Sequence, residues 1–281
     1  MTRWEHYTAL SARQRARAMA IATEFEISQG RDALDENRRR SVQHGADGNY
    51  WLRVDTDGEI VSFAVAETNL HGVSIEVVGG GYDVELDEAM CRAGIESAQW
   101  WMRDGQAPDR DFSVLRHLRY MECDDIHVEA PTTSLKLRSF LPGVDDDAWI
   151  EVNNQAFADH PEQGAWDRDS LQARLHEHWF DPSGFLLLLD TDGRIAASCW
   201  TKIHELPEVR TGEIYVIFVS PGYQGKGLGD VILRYGLISI HNRGVHRASL
   251  FVEDSNTPAI AMYESRGFAT RRLDRLVTIN R

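Results

Sequence analysis

Residues 212–229 read GEIYVIFVSPGYQGKGLG. The first half is a strand. Ile214, Val216 and Phe218 alternate with Glu213, Tyr215, Ile217 and Val219, and most of these are β-branched or aromatic. Ser220-Pro221-Gly222 ends it, because proline has no amide hydrogen for a ladder. Gln224-Gly225-Lys226-Gly227-Leu228-Gly229 follows. An apolar-periodic helix then runs over 230–243, with Val231, Ile232, Leu233, Tyr235, Leu237 and Ile238 as its apolar positions. A glycine-rich turn between a strand and a helix start offers backbone amides to an anion. Gly227 and Gly229 remove the Cβ atoms that would stand in a phosphate's way.

Working outward, the C-terminal half reads as a strand at 135–140 and helices at 145–157 and 168–178, with Asp145 or Asp146 capping the first. A hairpin over 184–189 and 195–202 turns at Asp190-Thr191-Asp192-Gly193. After the central strand and its helix come a strand at 248–252, a helix at 258–266 and a strand at 272–279. The N-terminal half has a similar order: helices at 11–27 and 32–42, and a hairpin over 50–54 and 60–67. A strand at 73–78, helices at 85–102 and 111–118 and a short strand at 127–129 complete it. Its hairpin turns at Asp55-Thr56-Asp57-Gly58, the same four residues. We read a tandem duplication, with domains 1–130 and 131–281 joined near Ala130-Pro131-Thr132-Thr133-Ser134.

Composition narrows the partners. The chain has 281 residues, enough for two domains, and a net charge of -14. That charge argues against nucleic acid and against an anionic membrane surface. Any anionic ligand would be held by local dipoles and donors. Cys91, Cys123 and Cys199 form no CxxC pair, so we expect reduced, buried thiols in a cytoplasmic protein. We expect no signal peptide or membrane anchor, since no apolar run is long enough. No HxxxH or HExxH spacing points to a metal, and no GxSxG elbow to a hydrolase.

The spacing Gln224-x-x-Gly227-x-Gly229 resembles the pyrophosphate loop of the GNAT acetyltransferases. Asn256-x-x-Ala259-x-x-x-Tyr263-x-x-x-Gly267-Phe268 resembles the segment that follows it there. Asn153-Asn154-Gln155-Ala156-Phe157, His160-Pro161-Glu162-Gln163-Gly164, Trp179-Phe180-Asp181-Pro182 and Trp200-Thr201-Lys202 resemble the C-terminal half of one GNAT family, the mycothiol synthases. The resemblance covers residues 131–281 and is faint before them. It implies two GNAT-like domains, each a mixed α/β unit with a mostly antiparallel central sheet flanked by helices. The second would be catalytic and the first degenerate.

Acetyl transfer to an amine needs a base, a donor for the oxyanion and an acid for the departing thiolate. The resemblance implies Glu213 as base and Tyr263 as acid. It implies acetyl-CoA held along Ile217, Phe218 and Val219, by Gln224, Gly225, Lys226, Gly227, Leu228, Gly229 and Asp230, and by Asn256 and Ala259. The oxyanion donor would be an amide near Phe218 or Val219. Lys226 is a point charge for the phosphates or a solvated lysine. The acceptor, the cysteinyl amine of cysteinyl-glucosaminyl-inositol, would meet Glu36, Glu162, Lys202 and Glu213. Phe251 stands where that family has a tyrosine, so one substrate hydrogen bond is in doubt. The first domain has Gly79-Gly80-Gly81 at the matching loop, with Asp83, Glu85, Asp87 and Glu88 crowding the helix start. These carboxylates would repel CoA, so we expect no cofactor there. Two alternatives stand: a GNAT enzyme for another small or sugar-linked amine, and a non-catalytic acyl-CoA-binding protein. The duplication suggests that one chain suffices, so a monomer is expected.

Overall fold

One aspartate shapes the turn in each half. Asp55 Oδ1 accepts the amides of Asp57 and Glu59, both at 2.9 Å. Asp190 Oδ1 accepts those of Asp192 and Arg194, again both at 2.9 Å. Gly58 and Gly193 close the turns at φ 84° and 80°, where a Cβ would be strained. The turns join β2 (Asn49–Val54) to β3 (Ile60–Asn69) and β8 (Phe185–Leu189) to β9 (Ile195–Glu205) as antiparallel hairpins.

The computed structural model describes residues 2–279 apart from 30–31, 46, 70–71, 104–110, 159, 161–163 and 206–209. The chain divides into two compact units: Met1–Leu118 with Arg272–Arg281, and Arg119–Arg271. The expected boundary at 130/131 falls within the second. In the first unit the strand order is β1 (Arg3–Tyr7), β2, β3, β4 (Gly72–Val78), β5 (Gln99–Met102) and β12 (Ala269–Ile279), whose residues from Arg272 belong here. Helices α1 (Ala12–Gln29), α2 (Glu36–His44) and α3 (Val84–Arg92) accompany it. In the second unit the order is β6 (Phe112–Cys123, from Arg119), β11 (Ala248–Glu253), β10 (Arg210–Val219), β9, β8 and β7 (Lys136–Ser139). Helices α4 (Asp146–Ala156), α5 (Arg168–Leu175), α6 (Leu228–Asn242) and α7 (Thr257–Glu264) belong to it. Pairing is mostly antiparallel; β4–β5 and β10–β11 are parallel. This is the mixed α/β architecture expected for each half.

Helix α6 lies flush on the second sheet because small residues meet. A Cβ on Gly236 would come 2.5 Å from Cys199 Sγ, closer than atoms approach. Ile232, Leu233, Leu237 and Ile240 fill that side of the core with Leu250 and Tyr263. The other side is aromatic. Phe185 stacks on Phe140 at 4.1 Å and on Trp200 at 4.2 Å, and the Trp149 ring meets Phe185 edge-on at 5.2 Å. Each such pair adds about 0.5–1.5 kcal/mol beyond area burial.

Four elements differ from expectation. The helix read over 85–102 is two elements: α3 stops before Ala93-Gly94, and Gln99–Met102 is β5. Alternate burial of Trp100 and Met102 marks the sheet period there. The helix read over 111–118 is the start of β6, since eight residues are too few for periodicity to separate helix from strand. Residues 127–129 form no strand. The edge strand β1 carried no sequence signal; it pairs with β2 alone. Cys123 and Cys199 are buried thiols as expected, but Cys91 is exposed. No described helix is long and apolar enough to cross a membrane.

Candidate active site

The site begins where two strands part. β10 pairs with β9 along its whole length, but its parallel ladder with β11 runs only from Gly212 to Ile214. A bulge at Tyr215 bends β10 there. Among the described residues, the β10 edge from Tyr215 to Val219 therefore has no ladder partner on the β11 side. Its open amides, which include those near Phe218 and Val219, suit an extended ligand arm or an oxyanion.

Below this opening the glycine loop is pinned. Ser220 Oγ donates to the Ile195 carbonyl, and the Tyr223 hydroxyl to Asp190 of the hairpin turn. Gln224 Nε2 donates to the Val219 carbonyl at 3.3 Å. Lys226 Nζ folds back onto the Gly222 carbonyl at 3.1 Å and over the Tyr223 ring. Gly227, at φ 75°, is the N-cap of α6 and provides no side-chain cap. Cβ atoms built on Gly225 or Gly227 would meet nothing within 4 Å, so the cradle is open. The first amides of α6 thus face outward without a protein acceptor from the cap, which is the arrangement of an anion site. Gly229 acts differently from the sequence argument. Its Cβ would lie 3.1 Å from Met262 Sδ, so its smallness lets α6 approach α7. Asp230, in the first turn of α6, would oppose an anion; Arg266 neutralises it through two hydrogen bonds of 2.5 and 2.7 Å.

Asn256 caps α7, its Oδ1 accepting the Ala259 amide at 3.3 Å. About two turns on, Tyr263 is buried. Burial pushes its pKa well above the usual phenol, so it stays protonated.

Glu213 sits on β10 opposite Lys202 of β9 and Ser249 of β11. Its Oε2 lies 2.6 Å from His204 Nε2. Lys202 Nζ stands 5.1 Å from the centre of the Trp179 ring. From β6, Tyr120 donates its hydroxyl to Glu122 Oε1 at 2.8 Å, and its ring lies 5.0 Å from that of Phe251. Burial, then the Glu122 carboxylate, push the Tyr120 hydroxyl well up; Ser249 opposes this, and the Glu213 charge adds to it.

The structure thus brings Glu213, Lys202 and Phe251 together and puts Tyr263 and Asn256 on one short helix beside the loop. Glu36 lies in the first turn of α2, in the other unit. Glu162 lies outside the described residues. Sequence reasoning missed His204, Tyr120, Glu122, Ser249 and Trp179. Register between β9 and β10 would have offered His204. Nothing could have offered Tyr120, because 111–118 was read as a helix and 119–126 was given no element.

The first unit's counterpart loop is closed. Asp83 caps α3 by accepting the Leu86 amide at 2.8 Å, and it also takes the Trp4 indole N–H at 3.1 Å and Arg53 at 3.3 Å.

A strand with a bulge, a parting from its parallel neighbour and a glycine loop that opens an uncapped helix define the GNAT type of acyltransferase scaffold. The Acetyltransferase (GNAT) family profile matches residues 148–268. A mycothiol acetyltransferase of Salinispora tropica is 51% identical over 47% of this chain, a match that spans only 44% of that relative's length. Mycothiol acetyltransferases of Acidimicrobium ferrooxidans (38% identical, 84% of this chain and 74% of that one) and Streptomyces griseus (33%, 95% and 92%) match far more. Among solved structures, a tandem GNAT protein from the clavulanic acid pathway superposes with a TM-score of 0.68 at 13% identity, covering 99% and 98% of the two chains. Saccharomyces cerevisiae N-myristoyltransferase with bound myristoyl-CoA gives 0.62 at 11%, covering 100% and 79%. The chain belongs to the mycothiol acetyltransferase family.

Proposed function

We propose that the second unit transfers an acetyl group from acetyl-CoA to a primary amine, the cysteinyl amine of cysteinyl-glucosaminyl-inositol. The observation that carries this reading is the uncapped α6 N-terminus beside the unpaired edge of β10. The amides of 224–230 would hold the pyrophosphate, with Lys226 as a nearby charge and Asn256 and Ala259 flanking the pantetheine. Each charge-assisted hydrogen bond contributes about 1.5–3 kcal/mol. The bound thioester supplies an activated acyl carbon.

Glu213 takes a proton from the amine, because an ammonium has no lone pair. The nitrogen then bonds to the acyl carbon, an amide near Phe218 or Val219 holds the oxyanion, and the nitrogen sheds its second proton to solvent as the carbon–sulfur bond breaks. Tyr263 gives its proton to the departing thiolate and regains one from solvent. Lys202, Phe251 and Glu162 complete the acceptor contacts in this reading, with Tyr120 as an added hydroxyl. The tandem assignment, a degenerate domain over 1–130 and a catalytic one over 131–281, belongs to the same proposal, as do a monomeric chain and a cytoplasmic location.

Release of free CoA thiol tests it. Protein, acetyl-CoA and cysteinyl-glucosaminyl-inositol should release thiol, and Glu213→Gln should lower kcat/KM by about 10²–10⁴-fold. Absence of release above background removes the acceptor assignment. Turnover of another amine in a panel would then favour the broader acetyltransferase reading, and tight CoA binding without any turnover the non-catalytic one.

A further inference from the structure

Within that reading of Glu213, one contact is left over. His204 Nε2 and Glu213 Oε2 are 2.6 Å apart, and both side chains are largely buried, 17% and 15% exposed. A carboxylate can only accept, so the hydrogen between them sits on Nε2. We infer that His204 is the positioning residue of the base: it orients the Glu213 carboxylate, leaving the second oxygen to face the amine.

The backbone makes this pairing precise. Glu213 stands opposite Lys202 in the β9–β10 register, and His204 stands opposite Thr211, two residues along each strand. Both side chains therefore point to the same face of the sheet and meet on a diagonal. Other polar groups face the pair: Lys202 from β9, and Tyr120 with Glu122 from β6, while the Glu205–Arg210 ion pair lies on the opposite face. Glu122 is already bound by Tyr120. His204 is the group in hydrogen-bond contact with the base, so its removal should act on Glu213 beyond what these neighbours supply.

A base works only when its carboxylate is aimed at the amine. His204→Leu should lower kcat by about 10–100-fold, the range of one hydrogen bond to a charged group. It should leave the KM for acetyl-CoA unchanged. His204→Gln, which keeps an N–H near the Nε2 position, should recover most of the rate. A second readout does not need turnover: nitrogen-15 NMR of the His204 imidazole, which reports the ring nitrogen that carries the hydrogen. It should show a hydrogen-bonded Nε2–H in wild type that is lost in Glu213→Ala. If wild-type protein turns over no amine, the functional reading fails while this spectrum still decides the pairing. An unchanged kcat in His204→Leu, or a His204 spectrum that Glu213→Ala leaves unchanged, overturns the inference. If His204→Leu fails to fold, the wild-type and Glu213→Ala spectra decide.

Discussion

The carboxylate of Asp83 accepts the backbone amide of Leu86 at 2.8 Å, so the first helix of the counterpart loop is closed by its own side chain. In the second unit the equivalent position is Gly227, which has no side chain to offer. An Asp cap contributes about 1 kcal/mol to its helix and puts a negative charge where a phosphate would lie. Calorimetric titration with CoA should therefore give one site per chain. Two sites of similar affinity would contradict this account of Asp83.

Gly227 is the position that holds the cradle open. At φ 75° a non-glycine residue is strained by roughly 1–2 kcal/mol. Gly227→Ala should weaken CoA binding at least about tenfold, because relief of that strain moves the loop amides off the anion, and 1.4 kcal/mol is one decade. Gly229→Ala should instead lower thermal stability, because its methyl would press on Met262. Equal effects of the two substitutions on CoA affinity and on melting temperature would show that the roles are not separate.

Tyr263 is held protonated by burial. Its raised pKa means no loss of the acid as pH rises through 7–9, so kcat should show no descending limb from this group in that window. Tyr263→Phe should lower kcat about 10²–10⁴-fold with little change in the KM for acetyl-CoA, measured by thiol release.

Tyr120 puts a hydroxyl beside Phe251 and among Glu122, Ser249 and Glu213. Tyr120→Phe should raise the KM for the amine acceptor several-fold, by the loss of one hydrogen bond of about 1 kcal/mol. The KM for acetyl-CoA should not move. A change in the cofactor's KM alone would relocate Tyr120 to the other substrate.

The second unit takes residues 119–123 from β6, and Met121 and Cys123 of that strand are buried in its core with Tyr263 and Phe268. A fragment beginning at residue 131 lacks them. It leaves an unfilled core and an exposed edge on β11, so it should be insoluble or melt far below the whole chain. A fragment that melts cooperatively near the whole chain's temperature would show that β6 is dispensable.

Local chemistry made much of this protein legible in advance. The two Asp-Thr-Asp-Gly turns, the helix after Gly227 and the strand before Ser220 are each specified by neighbouring residues, through turn bonds, capping and periodicity. Those forces act within a few residues, so a string of letters carries them. Elements in the region of residues 93–129 were misread because there the decision was not local. β5 and β6 are strands because sheet neighbours far along the chain accept their ladders, and short apolar runs fit either period. The candidate site divides the same way. The glycine loop and the Asn256–Tyr263 spacing were visible as patterns, whereas His204 against Glu213 and Tyr120 against Phe251 depend on strand register and sheet order. Only folding sets these, because hydrogen-bonded ladders join residues that the chain keeps apart.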